Sequence, residues 1–121
     1  MAEGFFHAFY SDQYEVYSAG ITPTKINPFA IRVMQEVGID ISKQRSKSYK
    51  EYGEVFFHIV ITTCDEAQEI CPFIPAKEFL HWGFPDPAAA RGTEEEVLRV
   101  FRETRDMIRD RISQAVKNGE I

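Results

Sequence analysis

Two cysteines are the most reactive side chains of this chain, and six residues separate them. Cys64 closes an apolar run and Cys71 precedes a proline, both within the segment TTCDEAQEICPFIP. Seven helical positions span about 10.5 Å, whereas the Cα atoms of a disulfide lie within about 7 Å of each other. A disulfide here would therefore require the segment to loop or unwind, which is how a redox switch is coupled to structure. The spacing leaves open the alternative of two unrelated, half-buried thiols.

Other polar side chains offer acid–base or anion-binding chemistry, each with a simpler alternative. Asp86 in the loop GFPDPA suits a general acid, but Asp-Pro turns are common. The segment KQRSKS, residues 43–48, suits an anion site or a solvated turn. Zinc binding has less support, because His81 has no cysteine or histidine at ligand spacing. The chain contains no Cys-x5-Arg sequence; CPFIPAK is Cys-x5-Lys, and its prolines lack the N–H groups of an oxyanion loop.

Composition and charge exclude several classes of protein. The formal net charge of −5 disfavours binding to nucleic acid or to an anionic membrane surface. No apolar run reaches the roughly 18 to 20 residues of a membrane span, and the first residues lack the basic region of a signal peptide. We therefore expect one cytoplasmic domain, residues 1–121, in a reducing compartment where the cysteines are redox-active or metal-binding rather than permanently paired.

Apolar spacing predicts three helices that alternate with three strands. The helices are expected along the stripe Ala2, Phe5, Phe6 and Phe9, from Asn27 to Gly38, and from Thr93 to about Gly119. The strands are expected at Tyr14 to Gly20, at Val55 to Cys64, and as a short strand that runs into a long loop within EFLHWGFPDPAAARG; the second of them is expected to be buried on both faces. This order favours a three-layer α/β fold with a small parallel sheet flanked by helices. Ligands bind at the carboxyl ends of such strands, so SAG, TTCDEAQEIC and HWGFPDPAAARG should converge on one site.

Together and in this order, the motifs resemble the thioredoxin-coupled arsenate reductases, which have the fold of low-molecular-weight tyrosine phosphatases. The resemblance covers the whole chain, from MAEGF through VYSAG, NPFAIRVMQEVGIDIS and RSKS to VITTCDEAQEICPFIP and HWGFPDPAAARGTEEE. Its most specific part is the C-x6-C segment that ends in Cys-Pro, followed by H-W-G-F-x-D-P-A.

The resemblance implies roles for individual residues. Cys64 matches the thiol that attacks the arsenic-bearing nucleophile, Cys71 matches the next relay thiol, and Asp86 matches the general acid. Thioredoxin is implied as the external reductant and arsenate as the substrate. Residues near the oxyanion loop are implied at Glu3, Ser18, Arg45, Ser46 and Lys47. Some relatives bind potassium there, but Lys47 stands where some of them have an aspartate, so we expect no potassium ion and no other cofactor.

In the family, a first strand and a Cys-x5-Arg loop with the nucleophilic cysteine stand directly before the residues that match MAEG. The resemblance therefore implies that this chain is truncated, lacks that strand and loop, and is inactive alone. We expect the gap in the sheet to be closed by direct pairing of neighbouring strands or by strand exchange in a homodimer.

Two alternative functions are kept. In the phosphatase branch, Asp-Pro is usually followed by aromatic residues, whereas Pro87 is followed here by Ala88, Ala89 and Ala90. That branch also lacks the paired relay cysteines, so the reductase is preferred. The other alternative is a non-catalytic dithiol or binding module that exchanges with thioredoxin.

Overall fold

The computed structural model describes residues 1–19, 25–44, 47–63 and 74–121. The elements, in chain order, are α1 (Ala2–Tyr10), α2 (Pro28–Gln35), a 3-10 turn (Tyr49–Tyr52), β1 (Phe57–Thr62), β2 (Ala76–His81), a second 3-10 turn (Pro87–Ala89) and α3 (Glu94–Lys117). Within these ranges no helix is both long enough and apolar enough to cross a membrane.

The chain divides into two compact units. The helical unit comprises Met1–Tyr17, Ile26–Arg45 and Asp86–Ile121, and it contains α1, α2 and α3. The sheet unit comprises Ser18–Lys25 and Ser46–Pro85, and it contains both strands. Helices together with a parallel strand pair confirm the predicted α/β class.

Local capping interactions explain where the predicted helices begin and end. The Asn27 side chain accepts a hydrogen bond of 2.8 Å from the Phe29 N–H, and Pro28 occupies the first helical position of α2. Gly38 follows that helix with φ +80, a conformation that glycine adopts without strain. The Thr93 hydroxyl accepts from the Glu96 N–H at 3.2 Å at the start of α3. All three predicted helices are confirmed.

The core of the helical unit is built from apolar faces of its helices and of the segment that follows α2. Its buried side chains are Phe5, Phe6, Ala30, Val33, Met34, Ile39, Ile41, Leu98, Phe101, Ile108, Ile112 and Ala115. At Gly4 a Cβ atom would lie only 2.8 Å from Cγ2 of Ile41. Glycine is therefore favoured at this position, because a larger residue would require the Ile41 side chain to shift.

An ion-pair network joins α2 to α3. Glu36 accepts hydrogen bonds from Arg102 at 2.8 and 2.9 Å and from Arg105 at 3.0 Å. Arg105, whose side chain is only 11% exposed, also donates to the Val33 carbonyl at 2.9 Å. Hydrogen bonding to Arg102, reinforced by Arg105, lowers the pKa of Glu36 below its ordinary value. Arg105 thereby places positive charge on the Val33 carbonyl, in the last turn of α2.

The sheet unit contains a parallel pair of strands. β1 and β2 are in register from Phe57 opposite Ala76 to Thr62 opposite His81. The expected burial on both faces is wrong for the described part of this region: β1 is mostly half-buried, and Phe56, just before it, is 67% exposed. The physical reason is that a strand face is buried by an element packed across it, and the described part of the sheet unit contains no helix besides the 3-10 turn Tyr49–Tyr52.

The strand expected at Tyr14 to Gly20 is also wrong for residues 14–19, and Gly20 lies outside the described residues. These residues do alternate between half-buried and exposed, which is the pattern that predicted a strand. However, the N–H groups of Gln13 and Tyr14 bond back to the Tyr10 carbonyl, and residues 14–19 belong to no strand. Alternation indicates which side chains share a face, but it does not specify the backbone ladder that makes a strand. The described pairing of β1 is with β2, and both expected ways of closing the gap, direct pairing and strand exchange, stay predictions.

Candidate functional site

The carboxyl ends of β1 and β2 are tied together by a group of contacts that we call the strand-end junction (Thr62, Thr63, His81, Trp82 and Phe84). The Trp82 N–H donates to the Thr62 carbonyl at 2.8 Å, and the Phe84 N–H donates to the Thr63 carbonyl at 3.2 Å. The chain after β2 thus remains bonded to the end of β1 instead of leaving the sheet.

A side-chain hydrogen bond reinforces the junction. The Thr62 hydroxyl lies 2.6 Å from Nδ1 of His81, and the two residues are register partners. Thr62 is 6% exposed, and so is Trp82 next to His81. The imidazole also lies against Gly83, since a Cβ atom there would meet Nε2 at 3.5 Å. A hydroxyl at this depth requires a hydrogen-bond partner, and the imidazole supplies one in either tautomer.

Both segments with predicted chemistry leave this junction. Cys64 follows Thr62 by two residues, and Asp86 follows Phe84 by two residues. The beginnings of TTCDEAQEIC and of HWGFPDPAAARG are therefore held side by side at the carboxyl ends of parallel strands, which is where ligands bind in such sheets.

Asp86 begins the second 3-10 turn. Its Oδ1 atom accepts a hydrogen bond of 3.0 Å from the Ala88 N–H, and Pro87 occupies the first position of the turn. Arg91 Nη1 donates to the carbonyls of Ala89 and Ala90, both at 3.1 Å, which closes the turn from its other end. The structure shows the Asp-Pro turn, in which Asp86 is exposed; its role as a general acid stays a prediction.

The other predicted site residues are placed as follows. Glu3 lies in the helical unit, and its Oε1 atom is 3.4 Å from Nε2 of His7, one helical turn later. Ser18 and Lys47 lie in the sheet unit, and both are half-buried. The remaining ones lie outside the described residues: Cys64, Cys71, Arg45 and Ser46. That all of these residues meet at one site stays a prediction.

Thr62 and His81 lie in two of the segments expected to converge on the site, but neither was predicted to have a role in its chemistry: His81 was interpreted as a core or lid residue, with little support as a zinc ligand. The available signal was that two neighbouring predicted strands end in polar residues just before the chemistry-bearing segments. Recognising their contact requires the register of the two strands, which the sequence pattern of either strand does not contain.

Two other features bear on where ligands bind. Within the described ranges, no three His, Cys, Asp or Glu side chains form a group that could hold a metal ion. A depression of about 540 Å³ in the helical unit is lined by His7 and residues 11–17. It contains none of the predicted site residues, so we assign it no role in the chemistry.

Comparison with known proteins identifies the family. Residues 1–119 match the family described as "Low molecular weight phosphotyrosine protein phosphatase". The chain is 44% identical over 121 residues to "Arsenate reductase" of Halalkalibacterium halodurans, covering 99% of this chain and 87% of that protein. It is 46% identical to "Arsenate reductase" of Shouchella clausii, with the same coverage.

Solved structures agree with the sequence relatives. A structure described as "An arsenate reductase in oxidized state" superposes with a TM-score of 0.81 at 29% identity, covering 97% of this chain and 86% of that chain. One described as "An arsenate reductase in reduced state" has the same identity and coverage and a TM-score of 0.78. The chain therefore belongs to the low molecular weight phosphotyrosine protein phosphatase family, within its arsenate reductase branch.

Proposed function

We propose that this chain supplies the relay and general-acid part of an arsenate reductase that is re-reduced by thioredoxin. The observation that carries the proposal is the match to proteins named arsenate reductase over 99% of the chain. The pair Cys64 and Cys71, with the spacing C-x6-C, supplies the two relay thiols of the proposed reaction.

The proposed reaction begins on a cysteine of a Cys-x5-Arg loop, a sequence these 121 residues do not contain. That thiolate displaces an oxygen of arsenate, which leaves as water after Asp86 protonates it. The Cys64 thiolate then attacks the sulfur of the S–As bond, and the bonding pair passes to arsenic. Arsenic(V) becomes arsenic(III), arsenite leaves, and a disulfide joins the nucleophile to Cys64.

The second half of the proposed cycle regenerates the nucleophile. The Cys71 thiolate attacks Cys64, which releases the first cysteine and forms the Cys64–Cys71 disulfide. A dithiol of thioredoxin reduces this disulfide by the same exchange chemistry. Two electrons therefore pass from thioredoxin to arsenic in each cycle. The proposal assigns the reaction to the cytoplasm, where thioredoxin keeps thiols reduced.

The other predicted residues act around the oxyanion in this proposal. Glu3, Ser18, Arg45 and Ser46 support the anion-binding region. The ammonium group of Lys47 takes the place of a potassium ion, so no metal ion and no further cofactor is required.

The test is arsenate-dependent oxidation of thioredoxin, followed through NADPH and thioredoxin reductase. We expect no turnover by the 121-residue chain, because Cys64 has no arsenic-bearing sulfur to attack. A chimera that carries the strand and Cys-x5-Arg loop of an arsenate reductase ahead of Met1 should turn over. In the chimera, Cys64→Ser and Cys71→Ser should each abolish the cycle.

Two results would contradict the proposal. Turnover by the 121 residues alone would refute the need for a separate nucleophile. A folded chimera that binds arsenate but oxidises no thioredoxin would refute the assignment of this chain to arsenate reduction.

The family name also raises a second candidate, hydrolysis of an aryl phosphate. The three alanines after Pro87 offer no ring to hold an aromatic substrate, so the chimera should hydrolyse aryl phosphates poorly and with a high KM. Efficient hydrolysis without arsenate reduction would favour the phosphatase.

A further inference from the structure

The strand-end junction contains a histidine that the proposed relay does not use. His81 is half-buried and hydrogen-bonded to the buried hydroxyl of Thr62 at 2.6 Å. Neither side chain is a nucleophile or acid in the proposed reaction, yet both lie where the chain leaves for Cys64.

We propose that Thr62 and His81 are positioning residues that set the thiol–disulfide equilibrium of Cys64 and Cys71. This inference rests on the proposed function and extends it, because it names the residues that control the relay. Thr62 precedes Cys64 by two residues, so its position determines where the relay segment begins.

Hydrogen bonds of the junction hold that beginning in place. The Thr62 hydroxyl bonds to the imidazole at 2.6 Å and donates to the Leu80 carbonyl at 3.5 Å. The Thr62 carbonyl accepts from Trp82, and the Thr63 carbonyl accepts from Phe84. The bonds of the hydroxyl depend on a side chain, so substitution of Thr62 can remove them while the backbone bonds remain.

Holding the beginning of the relay segment in place lowers the entropy cost of bringing the thiols of Cys64 and Cys71 together. Closing a short loop is cheaper when one of its ends is already held in place. Loss of a buried hydrogen bond worth about 1 kcal/mol changes an equilibrium by about fivefold. The bond affects the disulfide equilibrium by the difference in its strength between the dithiol and disulfide forms, so we expect removal of the Thr62 hydroxyl to lower the equilibrium constant for Cys64–Cys71 disulfide formation by up to about fivefold.

The experiment uses the 121-residue chain in mixtures of reduced and oxidised glutathione, followed by alkylation of free thiols and mass spectrometry. In the reaction, Cys64 and Cys71 lose two electrons and two protons to form one S–S bond. One glutathione disulfide takes them up and becomes two thiols. The measurement needs no arsenate turnover, so it does not depend on the nucleophile of the Cys-x5-Arg loop.

Matched variants separate positioning from general damage. Thr62→Val keeps the shape and removes the hydroxyl, while Thr62→Ser keeps the hydroxyl and should restore the wild-type equilibrium. Thr63→Val makes the same change at the adjacent exposed side chain and should have no effect. His81→Phe should shift the equilibrium as Thr62→Val does, with His58→Phe, at an exposed side chain of β1, as its control.

The double variant Thr62→Val with His81→Phe tests whether the two residues act as a pair, in which case it should shift the equilibrium no further than either single variant. A wild-type equilibrium in Thr62→Val, or an equal shift in Thr63→Val, would overturn the inference and leave the proposed function intact. If the wild-type chain forms no Cys64–Cys71 disulfide, the proposed relay fails and this inference fails with it.

Discussion

Replacing Glu36 with glutamine should weaken the attachment of α2 to α3. The substitution keeps the shape of the side chain and removes the charge that faces Arg102 and Arg105. Glutamine can still accept a hydrogen bond, and Arg105 retains the Val33 carbonyl and Asp106 as partners. The main loss is therefore one of the two carboxylates that pair with the nearly buried guanidinium of Arg105.

The expected cost follows from the exposure of the two partners. Exposed ion pairs contribute roughly 0.2–1 kcal/mol, whereas breaking a fully buried pair costs roughly 3–5 kcal/mol. The Glu36 side chain is 33% exposed and that of Arg105 is 11% exposed, so this pair lies between the two cases but is screened by solvent. We expect a loss of about 1–2 kcal/mol in the free energy of unfolding at neutral pH.

The pH dependence has a definite sign. The pKa of Glu36 is lowered in the folded protein, with hydrogen bonding from Arg102 as the largest cause. Its contribution is therefore fully present above the ordinary pKa, about 4.5, and is lost as the pH falls through the lower pKa of the folded state. Protonated glutamate resembles glutamine, so the difference between wild type and Glu36→Gln should shrink in acid.

Urea unfolding followed by circular dichroism measures both effects. The midpoint for Glu36→Gln should fall by roughly 0.5–1 M at neutral pH with an unchanged slope. Glu94→Gln is the matched control, because Glu94 pairs with Arg32 between the same two helices but both side chains are more than half exposed. It should cost no more than about 0.5 kcal/mol. Equal costs for the two variants, or a Glu36→Gln difference that grows in acid, would refute the reasoning.

Two further substitutions test local features of the helical unit by urea unfolding. Gly4→Ala should lower the free energy of unfolding by about 1 kcal/mol or more, although alanine favours helices, because its Cβ atom would lie 2.8 Å from Cγ2 of Ile41. A variant more stable than the wild type would show that the Ile41 segment moves freely. Asn27→Ala should lower the free energy of unfolding by about 1 kcal/mol, because the Phe29 N–H loses its capping acceptor, while Asn27→Asp should lower it far less. Equal losses in the two variants would show that the cap is not the cause.

The helices were predictable because their signals are local. The caps at Asn27 and Thr93 act within three residues of themselves, and the apolar stripes repeat within each helix. The chemistry-bearing motifs are also local in sequence: C-x6-C and the Asp-Pro turn are visible without any fold. Together with their order, they were enough to predict the family.

The sheet was predicted less well because strand pairing is not local. Residues 14–19 have the alternation of a strand, but alternation only states which side chains share a face. Whether the backbone finds a partner depends on residues far away in the sequence. The continuous apolar run of β1 likewise predicted two covered faces, and the described structure covers them only in part.

The sequence by itself determined where the helices of this protein begin and end, which residues carry thiol and acid chemistry, and the family to which it belongs. The tertiary structure alone decided the contacts between residues that are distant in the chain: Thr62 with His81, Gly4 with Ile41, and Glu36 with Arg105. The physical reason is the distance along the chain over which each interaction acts. Propensity and capping act over one or two helical turns, whereas register and close packing are set only when separate elements meet.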